Sequence, residues 1–289
     1  MEHLKRIITV LILAILTSNT FCQITPAKVD LYSNGNKLNA DFYKTSCGDN
    51  QPTLILLHGY PGGEGDPLGL GKALSNIGIN VLVFNYQGTW SSEGTFSFDN
   101  SMEDIGTAIN FLKNENNIEK FNIDTSNIIV AGYSYGGAMA LTAAIYDPEI
   151  RRIISIAGAD ESVFGRKILE DKSFRSMFEQ MLKASESPDG PIICDTKSHT
   201  EVWLSNLDKY DQVKHASSLV ERDILFLGGW RDYDVVLEEH ILPLYRRLQI
   251  LKSEKLQIHV FDTNHGFGNV RTELTEIIET WVNEKNNAP

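Results

Sequence analysis

Cysteine is scarce in this sequence, which contains three cysteines in 289 residues. No two of them form a C-x-x-C pair, and their spacing does not resemble that of a metal site. Cys47 and Cys194 lie far apart in the chain, and they either form one disulfide or remain two free thiols. The sequence leaves both possibilities open. Hydrophobic residues make up 42% of the chain, which is enough to bury a core of useful size.

Basic residues are few relative to acidic ones. Lys and Arg together number 26 against 38 Asp and Glu, and the formal net charge is -12. An acidic chain repels phosphate backbones and anionic membrane surfaces, so we expect neither nucleic acid nor a membrane surface as a partner. The composition is that of a globular protein and excludes disordered, collagen-like and coiled-coil classes. The length suits one large α/β domain or two ordinary ones.

Long apolar runs are missing apart from one near the N-terminus. Residues 7–16 are almost wholly apolar, follow a basic start and precede a polar stretch that reaches Cys22. A run of this length is short for a bilayer span but matches the core of a secretory signal peptide. We therefore predict a signal peptide over residues 1–22, a secreted or periplasmic location and no stable membrane insertion. The bulky Phe21 argues against lipid attachment at Cys22.

From residue 53 onward, apolar runs of strand length alternate with segments of helical period. The predicted strands are 53–59, 79–86, 127–134, 152–160, 223–230 and 255–263, and the predicted helices are 69–78, 101–114, 136–146, 236–250 and 269–284. Such alternation implies an α/β fold with a mostly parallel central sheet that is flanked by helices. Turn residues around 33–36 predict a hairpin that adds antiparallel strands at one edge. Ser101 and Asp104 have the spacing of a capping box at the start of a helix.

Residues 161–222 interrupt this alternation. They contain no clear strand, and helical patterns cover 164–185 and 199–210. An insertion of this length between two sheet strands indicates a helical cap over one edge of the sheet. We therefore divide the chain into the signal peptide and one domain over residues 23–289, with the cap at about 161–222.

The segment GYSYG, residues 132–136, predicts a nucleophile on a sharp turn. It follows a predicted strand and precedes a predicted helix, which is the context that the G-x-S-x-G pattern requires. Small residues on both sides of Ser134 permit the unusual backbone angles of such a turn. The N-terminus of the following helix also favours negative charge near the serine.

A second glycine-rich segment, HGYPGG at residues 58–63, follows an earlier predicted strand. An oxyanion needs two backbone N–H groups that point to one position. We assign them to Tyr135, which follows the nucleophile, and to Tyr60, because Pro61 has no N–H. We expect His58 to brace this loop through hydrogen bonds rather than to act as the base.

The base and the acid are expected at the carboxyl ends of later strands, where such sheets place their chemistry. His265 is the one histidine in a loop directly after a predicted strand. Asp232 is the preferred acid because it comes first after the strand that ends near Trp230. Asp234 remains an alternative, and Asp160 is a third option.

Together these motifs resemble those of the α/β-hydrolase superfamily, and the resemblance covers about residues 28–286. The specific parts are HGYPGG (58–63), GYSYGG (132–137), GGWRD (228–232) and NHG (264–266), in the order Ser, Asp, His. NYQGTWSSEG (85–94) is similar to the family's loop after the fourth strand. Asn85 and Gln87 replace the usual acidic and basic residues there, which sets the chain apart from the best-known lipase-like branches.

The resemblance implies acyl transfer through Ser134, with His265 as base, and it implies neither a cofactor nor a metal. The first interpretation is a hydrolase of carboxylic esters with a small-molecule or short acyl substrate. A serine peptidase or aminopeptidase of the same fold is the alternative, with Glu161, Glu170 and Asp171 as carboxylates for a substrate ammonium. A non-catalytic binding protein that kept the fold is a third interpretation. The oligomeric state and the exact substrate are not readable from the sequence.

Overall fold

An eight-stranded sheet runs through the computed structural model, which describes residues 25–46 and 48–284. The strands are β1 (Ala27–Ser33), β2 (Asn36–Tyr43), β3 (Gln51–Leu57), β4 (Asn80–Phe84), β5 (Ile123–Tyr133), β6 (Arg152–Ile156), β7 (Asp223–Gly229) and β8 (Leu256–Phe261). Their spatial order is β1-β2-β4-β3-β5-β6-β7-β8. The hairpin β1–β2 is antiparallel and joins β4 in antiparallel fashion, whereas β3 to β8 are parallel. The predicted α/β architecture is confirmed.

Helices cover both faces of the sheet. They are α1 (Leu70–Ser75), α2 (Phe98–Lys113), α3 (Glu115–Phe121), α4 (Tyr135–Tyr146), α5 (Glu161–Glu170), α6 (Lys172–Ser185), α7 (Thr196–Ser205), α8 (Leu207–Tyr210), α9 (Leu242–Ile250) and α10 (Arg271–Glu284). Short 3₁₀ turns occupy Pro67–Gly69 and Ala216–Leu219, and a π-helical turn over Leu237–Ile241 leads into α9.

The side-chain alternation of the strands divides the core into two layers. On β3, Ile55 and Leu57 face the layer beneath α2, α4 and α9, whereas Leu54 and Leu56 face the layer beneath α1 and α10. All four side chains are fully buried. Because both faces are covered, central strands such as β4 and β7 carry apolar residues at consecutive positions rather than at every second position.

Helix α2 begins earlier than the sequence pattern predicts, and the predicted capping box is wrong. Ser97 is the N-cap, and its hydroxyl accepts a hydrogen bond from the Asn100 backbone N–H over 3.0 Å. Ser101 lies inside the helix, where its hydroxyl donates to the Ser97 carbonyl. Asp104 instead accepts hydrogen bonds from the side chain and the backbone of Gln87.

Four helices, α5 to α8, lie between β6 and β7 and cover the carboxyl end of the sheet. The predicted single helix over 164–185 is two helices, because the Asp171 carboxylate accepts hydrogen bonds from the N–H groups of Ser173 and Phe174 and so caps a new helix. Backbone hydrogen bonds between Trp90 and Pro191 and between Gly88 and Ile193 tie this region to the loop after β4.

Some of the predictions fall on residues outside the described ranges. The proposed signal peptide, with Cys22, lies outside them, and so does Cys47. Within the described part of the chain, Cys194 carries a free thiol. None of the helices in residues 25–46 and 48–284 combines the length and the apolar character that a membrane crossing needs.

Candidate active site

Ser134 occupies a one-residue turn between β5 and α4. Its backbone angles are φ 57° and ψ −120°, which an L-residue rarely adopts. The turn depends on its flanking glycines. A Cβ at Gly132 would lie 2.2 Å from the backbone of Gly136, and one at Gly136 would lie 2.5 Å from the Leu57 carbonyl oxygen. Only glycine fits at both positions, and the turn lifts the serine side chain out of the sheet.

The structure brings the three predicted catalytic side chains together. His265 Nε2 lies 3.0 Å from Ser134 Oγ, and His265 Nδ1 lies 2.7 Å from Asp232 Oδ2. A carboxylate can accept a hydrogen bond but cannot donate one, so His265 Nδ1 carries the hydrogen and donates it to Asp232. His265 Nε2 then has no hydrogen and accepts from the Ser134 hydroxyl. This tautomer is the one that lets a histidine act as a base toward a serine.

Asp232, and not one of its alternatives, is the carboxylate at His265. Its side chain is 1% exposed, and its second oxygen accepts hydrogen bonds from the backbone N–H groups of Asp234 and Val235 over 3.0 and 2.9 Å. These bonds hold the carboxylate in place and stabilise its negative charge. Asp234 is exposed and makes no hydrogen bond with His265. Asp160 caps α5 through Ser162 instead.

The two backbone N–H groups expected to hold an oxyanion lie beside Ser134. Tyr135 is the first residue of α4, so its N–H is one of the donors that a helix leaves unpaired. A Cβ on Gly59 would lie 3.2 Å from the Ser134 Cβ, so the Gly59–Tyr60 peptide runs close to the serine. Among the described residues, no acceptor takes a hydrogen bond from either N–H. Both donors are free to bind a ligand atom.

Two side chains brace the glycine-rich loop that carries Tyr60. His58 Nδ1 donates a hydrogen bond to the Gly59 carbonyl over 2.7 Å, and burial lowers the pKa of His58 to about 4, so its ring is neutral. The Trp90 indole N–H donates to the Pro61 carbonyl over 2.9 Å. Trp90 belongs to the NYQGTWSSEG segment, so this segment supports the loop of the site.

The tyrosines on either side of Ser134 anchor the turn to different elements. The Tyr133 hydroxyl donates to the His265 carbonyl over 3.0 Å, and the Tyr135 hydroxyl donates to Ser101 Oγ over 2.9 Å. The sequence motif did not reveal either role, because both partners are distant in the chain. Burial raises the pKa of Tyr133 to about 12, so its hydroxyl stays protonated and can donate.

Two cavities meet at Ser134 and His265. One, of about 370 Å³, lies beneath the cap, and the other, also of about 370 Å³, runs along the glycine-rich loop at 58–68. More than half of the residues that line the cap cavity have aromatic or thioether side chains, among them Phe98, Phe164, Phe174, Met177, Phe178, Met181 and Trp203. No sequence motif marks these residues as part of a site. The apolar i, i+4 pair at Phe174 and Phe178 on α6 was the available signal.

Two cap residues, Glu161 and His199, present ionisable side chains to this cavity. The sequence predicted Glu161 as one of three carboxylates for a substrate ammonium, and it assigned no role to His199. Burial raises the pKa of Glu161 to about 8 and lowers the pKa of His199 to about 4. Both side chains are therefore neutral at pH 7. Glu170 and Asp171, the other proposed ammonium ligands, are exposed and do not line the cavity.

One group of side chains in the described residues has the spacing of a metal site. Ligand atoms of Asp232, Asp234 and His265 lie within 4.8 Å of one another. His265 and Asp232 already bond to each other, and Asp232 also accepts from two backbone N–H groups. A cation at this position would compete with the hydrogen bonds that orient His265.

This fold and this arrangement of side chains are those of the α/β-hydrolase family. The family model described as the alpha/beta hydrolase fold matches residues 52–222, and the chain belongs to that family.

Proteins that are similar to this chain in sequence or in fold include one named as an iminopeptidase, one named as a thiohydrolase and one named as an esterase. The chain is 32% identical over 203 residues to a proline iminopeptidase of Saccharolobus solfataricus, covering 65% of this chain and 59% of that protein. It is 28% identical over 143 residues to the thiohydrolase aneE of Aspergillus aculeatus, covering 48% and 43%. The chain thus spans less than two thirds of these two relatives. The esterase Pf2001 of Pyrococcus furiosus has a similar fold, with a TM-score of 0.65, 16% identity and coverage of 90% and 93%.

Proposed function

We propose that this protein is a serine hydrolase that cleaves carboxylic esters through an acyl-enzyme. The observation that carries the proposal is the continuous line of hydrogen bonds from Asp232 through His265 to Ser134, at 2.7 and 3.0 Å. A serine hydroxyl is a weak nucleophile unless a base accepts its proton as it attacks. The free N–H groups of Tyr60 and Tyr135 supply the second requirement, which is stabilisation of an oxyanion.

In the first half of the reaction, Ser134 Oγ attacks the ester carbonyl carbon while His265 Nε2 takes its proton. Asp232 stabilises the imidazolium that forms, and the carbonyl oxygen becomes an oxyanion held by the N–H groups of Tyr60 and Tyr135. The imidazolium then protonates the leaving alkoxide. The carbon–oxygen bond to the alcohol breaks, and the acyl group remains on Ser134.

In the second half, water attacks the acyl group while His265 accepts one of its protons. The oxyanion forms again at the same two N–H groups. Its collapse breaks the bond to Ser134 Oγ, which regains its proton from His265, and the carboxylic acid leaves. The two cavities that meet at Ser134 provide space for the acyl group and for the leaving group.

Peptide-bond hydrolysis by the same residues is the second candidate. It is supported by the similarity to a protein named proline iminopeptidase, which is a similarity over part of each chain. The two candidates differ in the leaving group and share the nucleophile, the base and the acid. A substrate panel of acyl esters, aryl esters, acetylated sugars and aminoacyl anilides separates them. Turnover of esters without turnover of aminoacyl anilides supports the ester hydrolase, and clear turnover of an aminoacyl anilide supports the peptidase.

Labelling with a fluorophosphonate probe tests the nucleophile. The wild-type protein should be labelled, and Ser134→Ala should not be. Ser217→Ala, which removes an exposed serine at the edge of the cap, is the matched control and should label like the wild type. Equal labelling of Ser134→Ala overturns the nucleophile assignment, and an unlabelled wild type overturns the hydrolase mechanism itself.

We also propose that the protein works outside the cytoplasm, on the basis of the apolar N-terminal run that ends before Cys22. Expression of the full chain followed by fractionation and N-terminal sequencing tests this. A mature protein that begins near residue 23 in the exported fraction is expected. Retention of residue 1 in a cytoplasmic product contradicts the proposal.

A further inference from the structure

Glu161 is a buried acid in the cap cavity. It is the first residue of α5, it is 6% exposed, and it lines the cavity together with Ser134 and His265. Among the described residues, no group donates a hydrogen bond to its carboxyl. Buried carboxyl groups are rarely left without a partner, because desolvation of the charged form is costly. The Glu161 carboxyl is therefore available to bind a ligand atom in the cavity.

The charge of the cavity has one sign. Its acidic lining residues are Glu161 and Asp234, and the described residues contribute no lysine or arginine to its walls. The remaining wall is mostly aromatic, and the faces of aromatic rings attract cations. No lysine or arginine of the cavity wall attracts an anionic ligand, whereas a cation meets aromatic rings and stabilises the ionised form of the Glu161 carboxyl.

We propose that the cap cavity contains a subsite for a positively charged amine, which the Glu161 carboxylate binds. The inference rests on the proposed function, because it takes the molecule bound in the cap cavity to be a substrate that is cleaved at Ser134. Substrates of this hydrolase then carry an ammonium group on the part that enters the cap cavity. Glu161 is a specificity residue in this assignment, because it contacts the substrate away from the reacting bond.

The protonation state of Glu161 supplies a signature for this binding. Burial, with a further contribution from the neighbouring Asp160, raises the pKa of Glu161 to about 8, so the empty carboxyl holds a proton at pH 7. A bound ammonium favours the ionised form, and the carboxyl then loses that proton. The other ionisable groups around it are Asp160, Tyr135, Tyr210, His199, His240, Asp234 and His265. Burial lowers the pKa of both His199 and His240 to about 4, so neither competes as a cation at pH 7.

Isothermal titration calorimetry on the full-length Ser134→Ala protein tests the subsite without requiring catalysis. The probes are 2-phenylethylamine, which is cationic at pH 7, and 2-phenylethanol, which has nearly the same shape and is neutral. We expect the amine to bind about tenfold more tightly than the alcohol, as a charged hydrogen bond adds about that much. Titrations in buffers of different ionisation enthalpy should show release of about one proton per bound amine at pH 7.

Two further variants in the same background locate the effect. Adding Glu161→Gln should abolish both the amine preference and the proton release. Adding Glu170→Gln, which removes an exposed carboxylate from the same helix, should preserve both. Equal binding of amine and alcohol overturns the subsite, and so does an amine preference that survives Glu161→Gln. If Glu161→Gln does not fold, the absence of proton release from Ser134→Ala alone overturns it.

The two proposals fail in different ways. If the wild type does not react with the fluorophosphonate probe but Ser134→Ala binds the amine with proton release, the cavity binds cations and the hydrolase mechanism is wrong. If the probe labels Ser134 but the amine binds no better than the alcohol, the mechanism stands and the ammonium subsite is wrong.

Discussion

The hydroxyl of Tyr133 donates a hydrogen bond to the backbone carbonyl of His265 over 3.0 Å, and the two rings lie 5.0 Å apart. Tyr133, which precedes the proposed nucleophile, therefore holds the loop that carries the proposed base, His265. Arg271 adds a second bond to this loop, from its guanidinium to the Gly266 carbonyl over 2.7 Å. Because Ser134 follows Tyr133 directly, the hydrogen bond from Tyr133 to His265 helps to set the distance between Ser134 and His265.

Removing this bond should slow catalysis without affecting substrate binding. We expect Tyr133→Phe to lower kcat about tenfold with little change in KM, because a misplaced base costs rate more than affinity. Tyr146→Phe is the matched control, since its hydroxyl also donates to a backbone carbonyl, that of Lys209, far from the site. Steady-state kinetics on one ester give the comparison. Equal kcat values for the two variants contradict a positioning role for Tyr133.

Substitutions of His265 and Asp232 should lower kcat far more than substitution of the neighbouring Asp234. His265→Ala should lower kcat by at least about two orders of magnitude, as loss of a triad member does. Asp232→Asn should be nearly as damaging because it disturbs the tautomer of His265, whereas Asp234→Asn leaves the 2.7 Å contact between Asp232 and His265 intact. Rates for the three variants, measured with the same ester, test the assignment. A larger loss in Asp234→Asn than in Asp232→Asn would exchange the two roles.

Glu161 should make the protein less stable at alkaline pH. Its folded-state pKa of about 8 lies above the ordinary value of 4.5, so the folded protein binds a proton that the unfolded chain has lost between these values. Stability from this group is complete below pH 4.5 and is lost as pH rises through 8, by on the order of 4 kcal/mol.

Urea unfolding at pH 5 and pH 9 measures this dependence. Glu161→Gln has no carboxyl to titrate at this position. The free energy of unfolding of the variant should therefore increase relative to that of the wild type as the pH is raised from 5 to 9. Glu170→Gln, in which the exposed carboxylate is replaced, should show no such gain. A constant difference between Glu161→Gln and the wild type would mean that Glu161 is not buried in its neutral form.

Gly136, two residues after Ser134, should not tolerate a larger residue. Gly136→Ala would place a Cβ 2.5 Å from the Leu57 carbonyl oxygen, and backbone at that distance has to move. We expect a loss of about 1–3 kcal/mol in the free energy of unfolding, together with a lower kcat. Gly106→Ala in α2 is the control, because no atom lies within 4 Å of its added Cβ. Gly106→Ala should stabilise the protein by up to about 1 kcal/mol. Similar losses in the free energy of unfolding for Gly136→Ala and Gly106→Ala would contradict the packing argument.

Much of the sheet was predictable because each strand is determined by a short run of neighbouring residues. Apolar runs such as residues 53–57 have few alternatives to a buried strand, and the turn at Ser134 is marked by glycines that no other residue type can replace. Boundaries were less predictable. Ser97 and Ser101 are both good caps by type, and the choice between them follows from contacts that Ser101 and Asp104 make with Tyr135 and Gln87.

The break at Asp171 shows the same limit in the cap. The apolar pattern continues from α5 into α6, so periodicity favoured one helix. The carboxylate of Asp171 instead accepts from two N–H groups of the next turn, and the chain begins a new helix at Lys172. Side-chain bonds to the backbone compete with helix continuation, and the pattern of apolar residues does not record which one wins.

The sequence by itself determined the fold class, the motif around Ser134 and the chain order of a serine, an aspartate and a histidine, because strand hydrophobicity and turn geometry depend on neighbouring residues. Only the tertiary structure decided which side chains share the site. Asp232 and Asp234 are two residues apart, yet one is buried against His265 and the other is exposed. Glu161, unlike the nearby Glu170, enters the cavity above the serine. Burial and contact of this kind depend on elements far apart in the chain, and no local pattern encodes them.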